Sequence, residues 1–190
     1  MKNLLLILAA ISLCFGTAFA APITIDFESE PVGVYGGGSV TITVGAIPVH
    51  FSGPGLQIRQ FGSPFPNTRV LSTSADAGPI TISFGGGFLA DYVEFENIVN
   101  GRYTSEVDSP IGTAYDSASS VLDTLQSSAT IHRLNGPGIA SVVYTEAATG
   151  EGFVIDNFTF DGTVVPEPSS LWLAAAGIAA ILIGRRRVTN

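Results

Sequence analysis

One cysteine, one methionine and one tryptophan occur in 190 residues, and none of them (Cys14, Met1, Trp172) falls in the central part of the chain. Without thiols between Ala21 and Val165, that stretch has no disulfide, thiolate metal site or cysteine nucleophile; its core, or a bound ion, must hold it together. Lysine is missing from the same stretch. Four arginines (Arg59, Arg69, Arg102, Arg133) stand against fifteen carboxylates, a net charge of −11. Nucleic-acid binding needs cationic groups to displace counterions, so that class is excluded. Two histidines, His50 and His132, are isolated from each other in sequence, and a lone strand histidine is more often a packing or surface residue than a ligand. No G-x-S-x-G elbow precedes a helix, and Gly85-Gly86-Gly87 lacks the Lys-Ser/Thr pair of a phosphate loop. A long 3.6-residue apolar repeat is also absent from the centre.

What is present is apolar at both ends. Met1–Ala20 has Lys2, the apolar run Leu4–Ile11, and Ala18-Phe19-Ala20. A positive start, an apolar core and an A-x-A site make a secretory signal peptide, with Ala18 and Ala20 read by signal peptidase and cleavage after Ala20. At the other end, residues 166–190 run from Pro166-Glu167-Pro168 through the apolar stretch Leu171–Ile183 to Arg185-Arg186-Arg187. A helix over Ser169–Gly184 would reach roughly 24 Å, short of a hydrocarbon core of about 30 Å unless Trp172 and the arginines sit at the interfaces. The arginines stay on the cytoplasmic side and leave the acidic centre outside. The two prolines block helix and strand and leave an extended hinge.

This order of Pro-Glu-Pro, short apolar helix, arginine cluster and chain end resembles the PEP-CTERM sorting domain of Gram-negative bacteria, over about Val165–Asn190. The resemblance implies a transmembrane sorting helix and a transient inner-membrane stage. It also implies processing by an exosortase, a membrane cysteine protease, and an association with the cell surface, exopolysaccharide or biofilm matrix. A plain C-terminal anchor is the alternative, although it has no need of Pro166, Glu167 and Pro168.

Residues 21–165 alternate apolar and polar side chains in short runs. The clearest are Ile23–Phe27, Val40–Val44 and Ile80–Phe84. Further runs are Pro48–Phe51, Leu56–Phe61, Thr68–Leu71, Tyr92–Glu96, Ile111–Tyr115, Thr130–Leu134, Ala140–Tyr144 and Phe153–Phe160. Glycine and proline clusters such as Gly53-Pro54-Gly55 and Gly136-Pro137-Gly138 separate them as turns. Val121–Gln126 has the length for a turn of helix, but the serines on both sides of it predict an exposed bend. The pattern predicts an all-β fold, an antiparallel β-sandwich or barrel, and the length of the stretch suits eight to ten strands in two sheets.

An opening Asp26-Phe27-Glu28, a middle Ala114-Tyr115-Asp116 and a closing Ile155-Asp156-Asn157 resemble the jelly-roll sandwiches of carbohydrate-binding modules and galactose-binding-like domains. In several of these the first and last strands lie side by side, and acidic residues there hold a structural calcium ion. The resemblance implies Glu28 and Asp156 as calcium ligands, with Asp26 the weaker candidate. Read from the residues alone, Asp26 faces solvent and Asp156-Asn157 marks a bulge or bonds nearby backbone.

For sugar contacts, flat aromatic faces are the natural partners. Tyr35, beside Gly36-Gly37-Gly38, and Phe65, between Pro64 and Pro66, are the candidates for exposed rings. Glu94 and Glu96 share a strand face and could form a glycosidase pair, but they also fit a polar outer face between core residues Val93 and Phe95. The expectation is an exported, exosortase-sorted protein whose β module binds extracellular polysaccharide without catalysis. A secreted polysaccharide hydrolase, or a matrix component without a defined ligand, are the alternatives.

Overall fold

The computed structural model describes residues 21–62, 67–73, 78–97, 109–145 and 154–164. Within them, two antiparallel sheets face each other, as the alternation predicts. The first is built from β1 (Ile23–Ile25), β2 (Gly33–Val34), β5 (Gln57–Gln60), β6 (Arg69–Ser72), β8 (Phe88–Glu96), β11 (Ile131–Ile139) and β13 (Val154–Val164). The second is built from β3 (Ser39–Val44), β4 (Ile47–Ser52), β7 (Ile80–Phe84), β9 (Ile111–Tyr115), β10 (Val121–Gln126) and β12 (Ser141–Thr145). Strand order is β11-β8-β13-β6-β5-β2 in the first sheet and β10-β9-β12-β7-β4-β3 in the second. β1 also pairs with β13, so the first and last strands are neighbours, with Ile23 opposite Phe160 and Ile25 opposite Phe158.

The inward residues of both sheets form one core. Phenylalanines dominate its middle: Phe51 meets Phe27 and Phe158 edge-on at 5.6 and 5.5 Å, while Phe160 lies 5.0 Å from Phe84 and 5.5 Å from Phe88. Each buried ring contributes on the order of 2 to 3 kcal/mol by leaving water, the term a thiol-free domain depends on.

Two expectations fail locally. Val121–Gln126 is a strand, not a bend. A register shift between Val121 and Asp123 brings both Leu122 and Leu125 onto the core, so the bulge breaks the period-2 pattern that would have revealed the strand. Gly136-Pro137-Gly138 is not a turn between strands but lies inside β11, where the pairing with β8 slips between Asn135 and Ile139. β11 ends its sheet, so the N–H that Pro137 lacks breaks no ladder on that side. β8 also extends back to Phe88, four residues before the expected start.

Candidate functional site

At one end of the first sheet, β6 and β1 lie one after the other along the same flank of β13. β6 pairs with Val154 and Ile155, and β1 with Phe158 to Phe160. The residues between them, Asp156 and Asn157, are set where the register against β8 shifts, and Asn157 takes a left-handed φ of +48°. The bulge expected at this dipeptide is present. Beside it, two residues past the end of β1, Phe27 takes a φ of +60°, an uncommon conformation for a large side chain, and the residue is buried in the core. That turn sends Glu28 across to the start of β6.

Glu28 and Asp156, far apart in sequence, meet there through Thr68. The Thr68 hydroxyl lies 2.7 Å from Glu28 Oε1 and 3.1 Å from Asp156 Oδ2. It has a single proton and satisfies one carboxylate at a time. Glu28 Oε1 also accepts from the Arg69 N–H at 2.8 Å, and the Thr68 bond is the leading reason its carboxyl is held below the usual range. Asp156 accepts from the Asn157 N–H at 2.8 Å, but it is only 5% exposed. Burial pushes its carboxyl up to about 6, with the charges of Glu96 and Glu28 adding to the rise. Asn157 Nδ2 donates to Glu96 Oε2 at 3.2 Å. Arg69 Nη1 donates to the carbonyls of Glu28 and Glu30 at 2.7 and 2.9 Å, clamping the turn onto β6.

Asp26 is placed differently. Its Oδ1 accepts from the Glu28 N–H at 3.1 Å in a local turn, and the residue is exposed and lines a groove with Thr24, Ser29, Glu30 and Thr41. Calcium takes six to eight oxygen donors. Glu28 and Asp156 supply carboxylate oxygens and Thr68 a hydroxyl at one point, and the carbonyls of Glu28 and Glu30 are engaged by Arg69. Among the described residues, no three His, Cys, Asp or Glu side chains gather as a metal set.

The outward faces of the two sheets differ in charge. On the first, Glu94 pairs with Arg133 at 3.5 Å, and the Arg133 guanidinium lies 3.7 Å from the centre of the Tyr92 ring. Glu94 and Glu96 do flank buried Val93 and Phe95 on a polar face. On the second, register aligns Thr41, His50, Ser83, Ser141, Tyr115 and Val121 in one row across all six strands. The adjacent row is Ser39, Ser52, Thr81, Val143, Thr113 and Thr124. Neither row contains a charged side chain, although residues 21–165 carry a net −11. Six strands at about 4.8 Å spacing make this strip roughly 24 Å long. Sequence reasoning missed it, although the signal was there: polar positions of these strands are nearly all serine or threonine.

Tyr35, expected as an exposed ring, packs instead against the core with a shielded hydroxyl, and burial raises its pKa. Its N–H bonds the Leu56 carbonyl at 3.0 Å, which ties the residue inward. Phe65, Ala18, Ala20, Pro166, Glu167, Pro168 and Arg185 to Arg187 lie outside the described residues.

β13 ends at Val164, and the sequence Pro166-Glu167-Pro168 begins two residues later. A family model described as the PEP-CTERM protein-sorting motif matches residues 164–187. The chain carries a PEP-CTERM sorting motif. It is therefore an exosortase-targeted protein, exported and sorted to the cell surface. No curated protein matches the chain. Three solved structures are similar to its β domain. One is the arabinose-bound MgGH51 α-L-arabinofuranosidase (12% identity, 77% of this chain and 27% of that one, TM-score 0.40). Another is the CBM22-1–GH10 pair of the Clostridium thermocellum endo-1,4-β-D-xylanase 10B with xylohexaose (15%, 73% and 28%, TM-score 0.34). The third is GH31 CBM32-2 with GalNAc (12%, 75% and 98%, TM-score 0.33). The chain spans little more than a quarter of the first two, and likeness this distant transfers no activity. Among the described residues no helix is long and apolar enough to cross a membrane; the expected apolar ends lie outside them. Because the PEP-CTERM motif follows the C-terminal end of β13, the Glu28–Asp156 cluster sits at the strand's other end. Eight residues of strand separate the two, roughly 26 Å.

Proposed function

We propose that this exosortase-sorted surface protein is a non-enzymatic binding module for a neutral extracellular polysaccharide of the cell surface or biofilm matrix. The observation that supports the reading is the uncharged, hydroxyl-lined strip on the second sheet of a strongly acidic domain. Serine and threonine hydroxyls both donate and accept, as sugar hydroxyls do, and the half-exposed Tyr115 offers a ring to stack on a pyranose. An acidic polymer would be repelled by the −11 body; a neutral one is not. Hydrolysis needs two carboxylates flanking the bond, and the two rows contain none.

Calcium is the ion we assign to Glu28 and Asp156, with Thr68 beside them and water completing the shell. Its role there is structural, neutralising two carboxylates that share one hydroxyl proton.

Binding is tested by affinity electrophoresis of the purified protein in gels containing neutral matrix polysaccharide. Retardation should fall about tenfold in apparent affinity for Tyr115→Ala, the loss of one stacking ring being on the order of 1 to 1.5 kcal/mol. Retardation unchanged by Tyr115→Ala would remove the strip from the account, and release of shortened glycans would establish the hydrolase alternative.

A further inference from the structure

The sandwich is closed along one side and open along the other. On the closed side β10 lies against β11: the Asn135 N–H donates to Asp123 Oδ2 at 2.8 Å, and Leu122 lies over Gly136. On the open side β3 ends the second sheet, and among the described residues only β4 pairs with it. A groove of about 280 Å³ runs beside that edge, between Thr41–Val44 and the turn containing Asp26 and Glu30.

Exposed edge strands are usually blunted by charge, proline or a bulge, because their unpaired N–H and C=O groups are a template for another strand. β3 has none of these. Val40-Thr41-Ile42-Thr43-Val44 is uncharged, β-branched throughout, and pairs with β4 without a register shift. It also reads identically in both directions.

We propose that β3 pairs with β3 of a second copy of this chain, antiparallel about a two-fold axis through Ile42, joining two six-stranded sheets into one. Strand parity requires an even register if core-facing residues are to stay on the core side. With Ile42 on the axis, Val40 stands opposite Val44, Ile42 opposite itself, and Thr41 opposite Thr43. The valines and the isoleucine are half-buried and already packed on the core, so pairing extends that apolar layer. The threonines meet on the outer face, a favourable cross-strand pair. A shift of two residues sets Val44 against Gly38 or Thr41 against Gly45 and loses part of this matching.

The backbone agrees with the same axis. The two-residue Gly45-Ala46 turn, with Gly45 at φ +63°, closes on Val44–Ile47, so bonded pairs alternate as Val44–Ile47, Ile42–Val49 and Val40–Phe51. Pro48, with no N–H to give, falls on the intervening pair opposite Thr43. The N–H and C=O groups of Thr41 and Thr43 therefore point to the open edge. Those are the groups a second β3 engages when Thr41 faces Thr43. Closure about a two-fold uses up both edges and stops at a dimer. Two bodies of net −11 repel one another, and Asp26 and Glu30 stand beside this edge, so added salt screens the repulsion and strengthens the association. This inference is independent of polysaccharide binding.

The test uses the full chain in detergent, with Cys14→Ser as background so that an introduced thiol is the only one. On the axis, a non-bonded antiparallel pair brings the two Cα atoms to about 4.5 Å, within disulfide reach. Ile42→Cys should therefore cross-link to a dimer under mild oxidation. Val40→Cys should not, since its two copies stand four residues apart along the strands, roughly 13 Å. Thr43→Pro removes an outward N–H without touching the ladder to β4, and should convert the dimer to monomer in sedimentation while the melting curve is retained. Equal cross-linking at positions 40 and 42, a mass unchanged by Thr43→Pro, a dimer weakened by salt, or a monomer at every concentration would each overturn the proposal.

Discussion

Asp156 is the residue at which the charge arrangement of the first sheet becomes measurable. The residue is 5% exposed, and burial pushes its carboxyl up to about 6 in the fold, against 3.8 ordinarily. The native state thus binds this proton more tightly than the unfolded chain does. Between pH 4 and 6 the native state holds the greater share of protons, so stability falls as pH rises through that window and levels off above it. The difference corresponds to about 3 kcal/mol at most, and to roughly 1 to 3 kcal/mol allowing for relaxation at the open end of the sheet. Glu28 works in the opposite sense: its carboxyl is held below 4.5, so its contribution is present above that pH and lost as pH falls through its lowered value. In the ion-free protein the two therefore oppose each other, Asp156 favouring the fold at acid pH and Glu28 favouring it above its lowered value. Asp156→Asn keeps the shape and removes the charge. The amide oxygen still accepts from the Asn157 N–H, and its NH2 donates to Thr68, releasing the Thr68 proton to Glu28. In chelator at pH 8 this variant should melt about 3 to 10 °C above the wild type, and at pH 4 the two should coincide. Calcium at pH 8 should raise the wild-type midpoint and leave the variant unmoved. A wild-type midpoint flat between pH 4 and 6, or a variant less stable at pH 8, would refute the electrostatic reasoning. An unchanged wild-type melt on adding calcium would dismiss the ion.

Phe158→Ala should cost about 3 to 5 kcal/mol in denaturant titrations, because its ring is fully buried between Phe51 and Phe160; a cost under 1 kcal/mol would contradict the packing. Replacing Arg185, Arg186 and Arg187 by glutamine should disturb retention or orientation at the inner membrane, measured by fractionation and protease accessibility, and unchanged sorting would count against a role for the arginines in sorting.

The extent to which sequence predicted structure varies by element. β7 and β9 match their predicted spans because their apolar residues alternate without interruption and both faces are decided locally. β10 was hidden, since a bulge puts Leu122 and Leu125 three positions apart on one face, a spacing that mimics helix. The two carboxylates of the candidate cation site were named in advance through a resemblance, but Thr68 and Arg69, which join them, carried no local signal. They become site residues only because β6 and β1 share a flank of β13. Tyr35 departs from its sequence expectation for a related reason: adjacent glycines suggest exposure, whereas its backbone is bonded to the Leu56 carbonyl and its ring packs on the core.

Composition and order along the chain were enough to determine where this protein goes. The prolines, apolar run and arginines of the PEP-CTERM motif are recognised as one linear segment, so their physics needs no folded context. The same is true of the all-β class, since a two-residue period is a property of adjacent side chains. Which carboxylates share a proton, which hydroxyls line up into a strip, and which strand is left with an open edge depend on register between segments far apart in the chain, as far as Thr24 from Thr159. Only the pairing of strands in the folded sheets decides that, because register joins residues that no local pattern links.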